Sequence, residues 1–150
     1  MAHAGQKLKG DSWVLALSED SGTTWLQVIC EKGTTLKLSR DEQNADSKCG
    51  NDKAPGDQKD QSISTEILII QGANVLSTEA SYLKLRTWHD AGTTLYWRLG
   101  PAATLTTGQL RETGQGWIKS LDAKANHGEN ISSSIEMVAY PDSTTLVVGV

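Results

Sequence analysis

The sequence predicts a mainly β domain with one flanking helix, and three observations carry that prediction. Thr-Thr pairs recur at 23–24, 34–35, 93–94, 106–107 and 144–145, three of them directly after Gly22, Gly33 and Gly92. A turn glycine followed by β-branched residues marks a strand entry. Two segments, 62–68 and 132–138, alternate polar and apolar side chains with period two, which is a sheet with one face on a core and one on water. A single stretch, Thr78 to Asp90, reads as helix.

Taken in order, strands are expected near 12–18, 23–30, 33–39, 62–70, 93–99, 114–122, 130–139 and 144–149. The first two are joined by Glu19-Asp20-Ser21-Gly22, whose residues favour a tight hairpin-type turn. Residues 40–61 break the pattern, because their only apolar side chains are small ones or proline. Such a segment cannot bury a core and is expected as a long polar surface loop, a length that is often functional. The helix would be capped by Ser77 or Thr78, carry Glu79 in its first turn and end at Gly92.

The two alternating strands share a pattern. Ser62, Ser64 and Glu66 fall on one face, with Ile63 and Ile67 on the other. Ser132, Ser134 and Glu136 fall on one face, with Ile131, Ile135 and Met137 on the other. Both wet faces are therefore small hydroxyls plus one carboxylate. An ordinary solvated sheet face has the same composition, so the pattern alone does not select a function.

The chain of 150 residues is read as one domain, 1–150. Its net charge of -4 argues against a protein that grips nucleic-acid phosphates with clustered Lys and Arg. Phe is absent, and five Trp are spread at 13, 25, 88, 97 and 117, which suits core or subunit-contact anchors. Cys30 and Cys49 are too few for a disulfide scaffold and fit no zinc spacing, so they read as free thiols of a reducing compartment. The apolar run 13–17 is too short for a signal peptide or a membrane span. The sequon Asn130-Ile131-Ser132 carries no meaning without export.

Catalytic chemistry finds no foothold. There is no Gly-x-Ser-x-Gly elbow and no phosphate loop, and His3, His89 and His127 lack matched partners. Acidic residues at 41, 42, 46, 52, 57 and 60 do not fall in the spacing of a calcium loop, and Lys48, Lys53 and Lys59 are interleaved with them. No enzyme activity, metal or cofactor is expected.

The order of these motifs resembles the major tail tube protein of long-tailed bacteriophages and related gene transfer agents. The opening Gly10-Asp11-Ser12-Trp13-Val14-Leu15-Ala16-Leu17 resembles that family's first strand. Ala45-Asp46-Ser47-Lys48-Cys49-Gly50 resembles its polar loop, departing at Cys49-Gly50. Gln61-Ser62-Ile63-Ser64-Thr65-Glu66-Ile67-Leu68 resembles the strand after it. Gly116-Trp117-Ile118-Lys119-Ser120-Leu121, with Gly128-Glu129-Asn130 and the strand to Glu136, resembles its closing pair.

The resemblance implies a twisted β-sandwich or half-barrel flanked by the helix at 78–90. Six copies would form a ring, inner strands joining into one barrel around a lumen, and stacked rings would form the tube through which DNA leaves the capsid. Ser62, Ser64, Glu66, Ser132, Ser134 and Glu136 would then face the lumen, where an acidic wall repels phosphates. The loop 40–61, with Asp46, Ser47, Lys48, Asp52 and Lys53, would contact the next ring. Further partners would be a tape-measure protein, a tail terminator and a distal tail protein, with no membrane involved. The protein would reside in the virion tail after assembly in the host cytoplasm. Two alternatives stay open: a tube protein of a contractile injection or type VI secretion system, and a stand-alone β-sandwich binding module stacking a sugar on Trp88 or Trp97.

Overall fold

The computed structural model describes residues 10, 13–28, 31–47, 50–69 and 79–150. These residues build one curled nine-stranded sheet, a half-barrel closed over a core by a single helix. The strands are β1 (Val14–Ser18), β2 (Leu26–Val28), β3 (Glu31–Ser47), β4 (Gly50–Leu68), β5 (Glu79–Ala80), β6 (Leu95–Gly100), β7 (Leu110–Leu121), β8 (Ser132–Ala139) and β9 (Thr145–Val148). Helix α1 spans Tyr82–Ala91. The sheet runs β3-β4-β8-β7-β6-β1-β2-β5, and β9 pairs with β7.

All eight expected strands are present, and the central ones follow from their composition. β1 is Val-Leu-Ala-Leu-Ser, apolar on both faces. It lies between β2 and β6 and is buried from Leu15 to Ser18. From β4 and β8 the core receives Ile63, Ile67, Ile135 and Met137, and from β6 it receives Leu95, Trp97 and Leu99. Leu85 and Trp88, on one side of α1, close it.

The turn after β1 is set by short polar side chains. Ser18 Oγ donates to Asp20 Oδ1 at 2.7 Å, and Asp20 Oδ1 also accepts the Thr24 N–H at 2.8 Å. Ser21 and Gly22 take left-handed φ values of 61° and 86°, as such a reversal requires. The neighbouring Glu19 reaches α1: Oε2 accepts the buried Trp88 indole N–H at 2.8 Å and Oε1 accepts Lys84 Nζ at 3.2 Å.

Two expectations are corrected. The segment 40–61 is not a loop. β3 and β4 pair along it to a reversal between Ser47 and Gly50, where Gly50 has φ 132°. Antiparallel pairing is made by backbone N–H and C=O groups, so a two-stranded ribbon needs no apolar residue to exist. The apolar pattern reveals only strands that stand on a core. The second correction is the helix start. The cap is Ser81 rather than Ser77 or Thr78. Glu79-Ala80 instead pairs with β2 in parallel, placing Ala80 in the core. The helix end is as expected, with Gly92 left-handed at φ 64°.

Candidate functional site

The two alternating strands are neighbours in the sheet. β4 and β8 run antiparallel, with Ser64 opposite Glu136, Glu66 opposite Ser134 and Leu68 opposite Ser132. Ile63, Thr65 and Ile67 of β4 are buried, as are Ser133, Ile135 and Met137 of β8. All six residues Ser62, Ser64, Glu66, Ser132, Ser134 and Glu136 therefore share the face away from the core, as their sequence period requires. Ile131 precedes β8 and is exposed at 43% rather than buried.

β3 extends this face. Lys37 stands opposite Ser62 and Thr35 opposite Ser64. On the other side, Ser120 of β7 stands opposite Glu136. Ser64, Glu66, Ser134 and Glu136 line a shallow trough of about 460 Å³ with Ser120 and Asp122. Asp122 fixes its rim, accepting the Ser134 N–H at 2.8 Å.

The face is charge-compensated. Lys32 Nζ lies 3.6 Å from Glu66 Oε1, and Lys119 Nζ lies 4.0 Å from Glu136 Oε1. Sequence reasoning missed both lysines, for different reasons. Lys119 sits in a register shift between Ile118 and Ser120, and Lys32 in one between Glu31 and Gly33. A bulge changes which side chain meets which partner, and no period reveals it. Thr35, Lys37 and Ser39 were findable, since they alternate with Leu36 and Leu38.

The residues expected to contact a next ring lie on the far part of the β3–β4 ribbon. Asp46 and Ser47 are on β3 and Asp52 and Lys53 on β4, while Lys48 lies outside the described residues, as do Cys30 and Cys49. Lys53 Nζ lies 3.5 Å from Glu42 Oε1 across the ribbon. At its base the register shifts between Arg40 and Glu42, opposite Pro55 to Lys59. Gly56 is buried there, and Arg40 Nη1 donates to its C=O at 3.0 Å. A Cβ at Gly56 would lie 2.7 Å from the Asp41 C=O, so this joint admits only glycine without moving the backbone.

Trp88 and Trp97 are 2% and 0% exposed, so neither ring can offer a stacking face to a sugar. Arg98 instead lies over the half-buried Trp25 ring, 4.5 Å from its centre. Among the described residues, no group of three or more His, Cys, Asp and Glu gathers as a metal site. No helix among them is long and apolar enough to cross a membrane.

The chain superposes on the tail of an empty gene transfer agent particle, refined with six-fold symmetry, at TM-score 0.70 and 15% identity, covering 96% of this chain and all of that one. The chain shares the tail tube fold. The SPP1 tail tube gives TM-score 0.73 at 11% identity, covering 96% of this chain and 81% of that one. A chain of the sheath–tube complex of PVC, an extracellular contractile injection system, gives 0.64 at 12%, covering 97% and 94%. No family model and no curated protein sequence matches the chain. The tail tube fold is thus retained here at identities where the sequences alone hardly compare.

Proposed function

We propose that the protein is the structural subunit of a tail tube, acting as a conduit rather than an enzyme. Copies assemble into six-membered rings, the rings stack, and DNA passes through the lumen without specific binding. The single observation carrying this reading is the tail tube fold over nearly the whole chain, joined to a wet face that the alternating strands build as one surface. Ser62, Ser64, Glu66, Ser132, Ser134 and Glu136 form the lumen wall in this reading.

The wall works by weak interaction. Hydroxyls of Ser62, Ser64, Ser132 and Ser134 exchange hydrogen bonds with water. Glu66 and Glu136 repel phosphates, while Lys32 and Lys119 at 3.6 and 4.0 Å reduce the net field. A wall of tethered pairs neither traps a polyanion nor blocks its entry. The ribbon, with Asp46, Ser47, Asp52 and Lys53, contacts the next ring. A tape-measure protein, a terminator and a distal tail protein complete the tail, which is assembled in the host cytoplasm and carried on the virion.

Electron microscopy of the concentrated protein tests the reading: tubes or six-fold rings are expected, and a strict monomer at all concentrations overturns it. Glu66→Lys combined with Glu136→Lys is expected to leave tubes intact and impair DNA passage. Normal ejection by this variant removes the charged-wall mechanism. The likeness to the PVC tube carries a second reading, a tube inside a contractile sheath, which co-assembly with a sheath protein would select.

A further inference from the structure

We propose that the open edge of β9 is a strand-addition site for a second copy of this chain, entered by the far part of that copy's β3–β4 ribbon. This rests on the tail tube reading and names the surface that the ribbon meets.

Among the described residues β9 pairs along one side only, Thr145–Val148 against Leu110–Thr113 of β7. Just beyond it, the Gly149 N–H donates to the Gln109 C=O at 2.7 Å, and the Gly149 C=O accepts the Gly108 N–H at 3.0 Å. Backbone groups along an antiparallel strand alternate between the two sides. Thr145 and Val147 therefore turn N–H and C=O toward β7, and Leu146 and Val148 turn theirs to the open edge. Their side chains are uncovered too: Leu146 is 50% exposed, Val148 53% and Val147 37%. Residues 143–150 contain no charged side chain and no proline. The strand thus lacks the charges and proline that commonly block edge pairing.

The chain's own ribbon does not fill this edge. β8 and β9 follow one another along the same side of β7, and β4 runs beside β8 as far as Gln61 opposite Ala139. There the Thr144 hydroxyl is hydrogen-bonded to the Gln61 side chain. Past that point β4 pairs with β3 alone, and no described strand pairs with the outer edge of β9.

A second copy supplies the complement. Beyond residues 40 and 60 the described strands of its ribbon pair with each other and with no third strand, and such ribbons need a third strand or a packed face for stability. Strand addition gives the ribbon that third strand and covers Leu146 and Val148. Affinity comes from main-chain hydrogen bonds, so the polar composition of the ribbon is no obstacle. The two surfaces differ, so the contact is head-to-tail and propagates along a stack.

Amide hydrogen exchange on the full-length protein, before and after assembly, tests the site. The Leu146 and Val148 amides are expected to exchange freely in the subunit and to slow at least about tenfold in the tube, with Thr145 and Val147 protected in both. Leu146→Pro removes one outward N–H and is expected to abolish assembly while leaving the subunit's circular dichroism and melting unchanged. If that variant misfolds, Val148→Lys provides the same test without touching the backbone. Tubes with unprotected Leu146 and Val148 amides, or tubes built by either folded variant, overturn the docking site and leave the tail tube reading standing. A wild type that never forms rings, tubes or smaller oligomers overturns both.

Discussion

The two halves of the β3–β4 hairpin are made by the same ladder and held by different forces. Near the body, β4 carries Ile63 and Ile67 into the core and pairs with β8 on its second side. Beyond Gln61 it pairs with β3 alone, and the described side chains there are polar or charged, apart from Ala54, Pro55 and Gly56. The near half is fixed by apolar burial. The far half is held, among its described residues, by backbone hydrogen bonds, by the Arg40 and Ser39 side chains bonded to the Gly56 and Asp60 carbonyls, and by an exposed Lys53–Glu42 pair that contributes little in water. One element thus joins a core-anchored face to a limb that stands on no core of its own.

Several variants would break or sharpen this contrast. The largest effect is expected in the near half, where Ile67→Ala should cost about 2–5 kcal/mol by leaving a cavity. Urea unfolding of the subunit checks it, and a loss below about 1 kcal/mol would place the core elsewhere. Glu19→Ala, at the far end of the body, should cost about 1–3 kcal/mol, because the buried Trp88 N–H loses its acceptor. In the ribbon the sign of the experiment changes. Removing residues 43–58 with a short linker should leave the unfolding midpoint nearly unchanged and stop tube growth, and undiminished growth would refute the ribbon's role.

Gly56→Ala is subtler. Its Cβ would meet the Asp41 C=O at 2.7 Å, so the joint must shift. Amides beyond it should lose exchange protection while those of β8 keep theirs. Equal loss in both would mean that ribbon and wall form one cooperative unit. The smallest effect concerns acid. Asp20 is held at about 2, below its ordinary 3.8, chiefly by the Ser18 hydroxyl and then by the Thr24 N–H. A depressed carboxylate stabilises the fold above its ordinary value and loses that contribution as pH falls toward the folded one. Asp20→Ala should therefore flatten the stability curve between pH about 4 and about 2, read by thermal melts, and leave the ribbon's exchange unaltered.

The wall was legible in the sequence because burial imposes a period. Ser64 and Glu66, or Ser134 and Glu136, could not sit anywhere but opposite Ile63, Ile67, Ile135 and Met137 once those isoleucines and the methionine entered a core. The ribbon was not legible, because Gly56 is the only buried residue among those of 40–61 whose side chains are described, and its small size reads as a loop signal. Lys32 and Lys119 were hidden by register shifts, and the start of α1 by the two-residue strand Glu79-Ala80.

By itself, then, the sequence determined the strand-rich class, the single helix with its Gly92 stop, and the identity of the hydroxyl-and-carboxylate face. These depend on local propensity and on apolar periodicity, which each segment carries within itself. Only the tertiary structure decided that β4 and β8 are neighbours, so that the two wet faces fuse into one wall with lysines beside its carboxylates. It alone also decided that the polar stretch is a paired ribbon and that β9, among the described residues, pairs with β7 alone. These facts concern which backbone lies beside which, and backbone pairing between distant segments leaves no mark on the residues unless it also buries them.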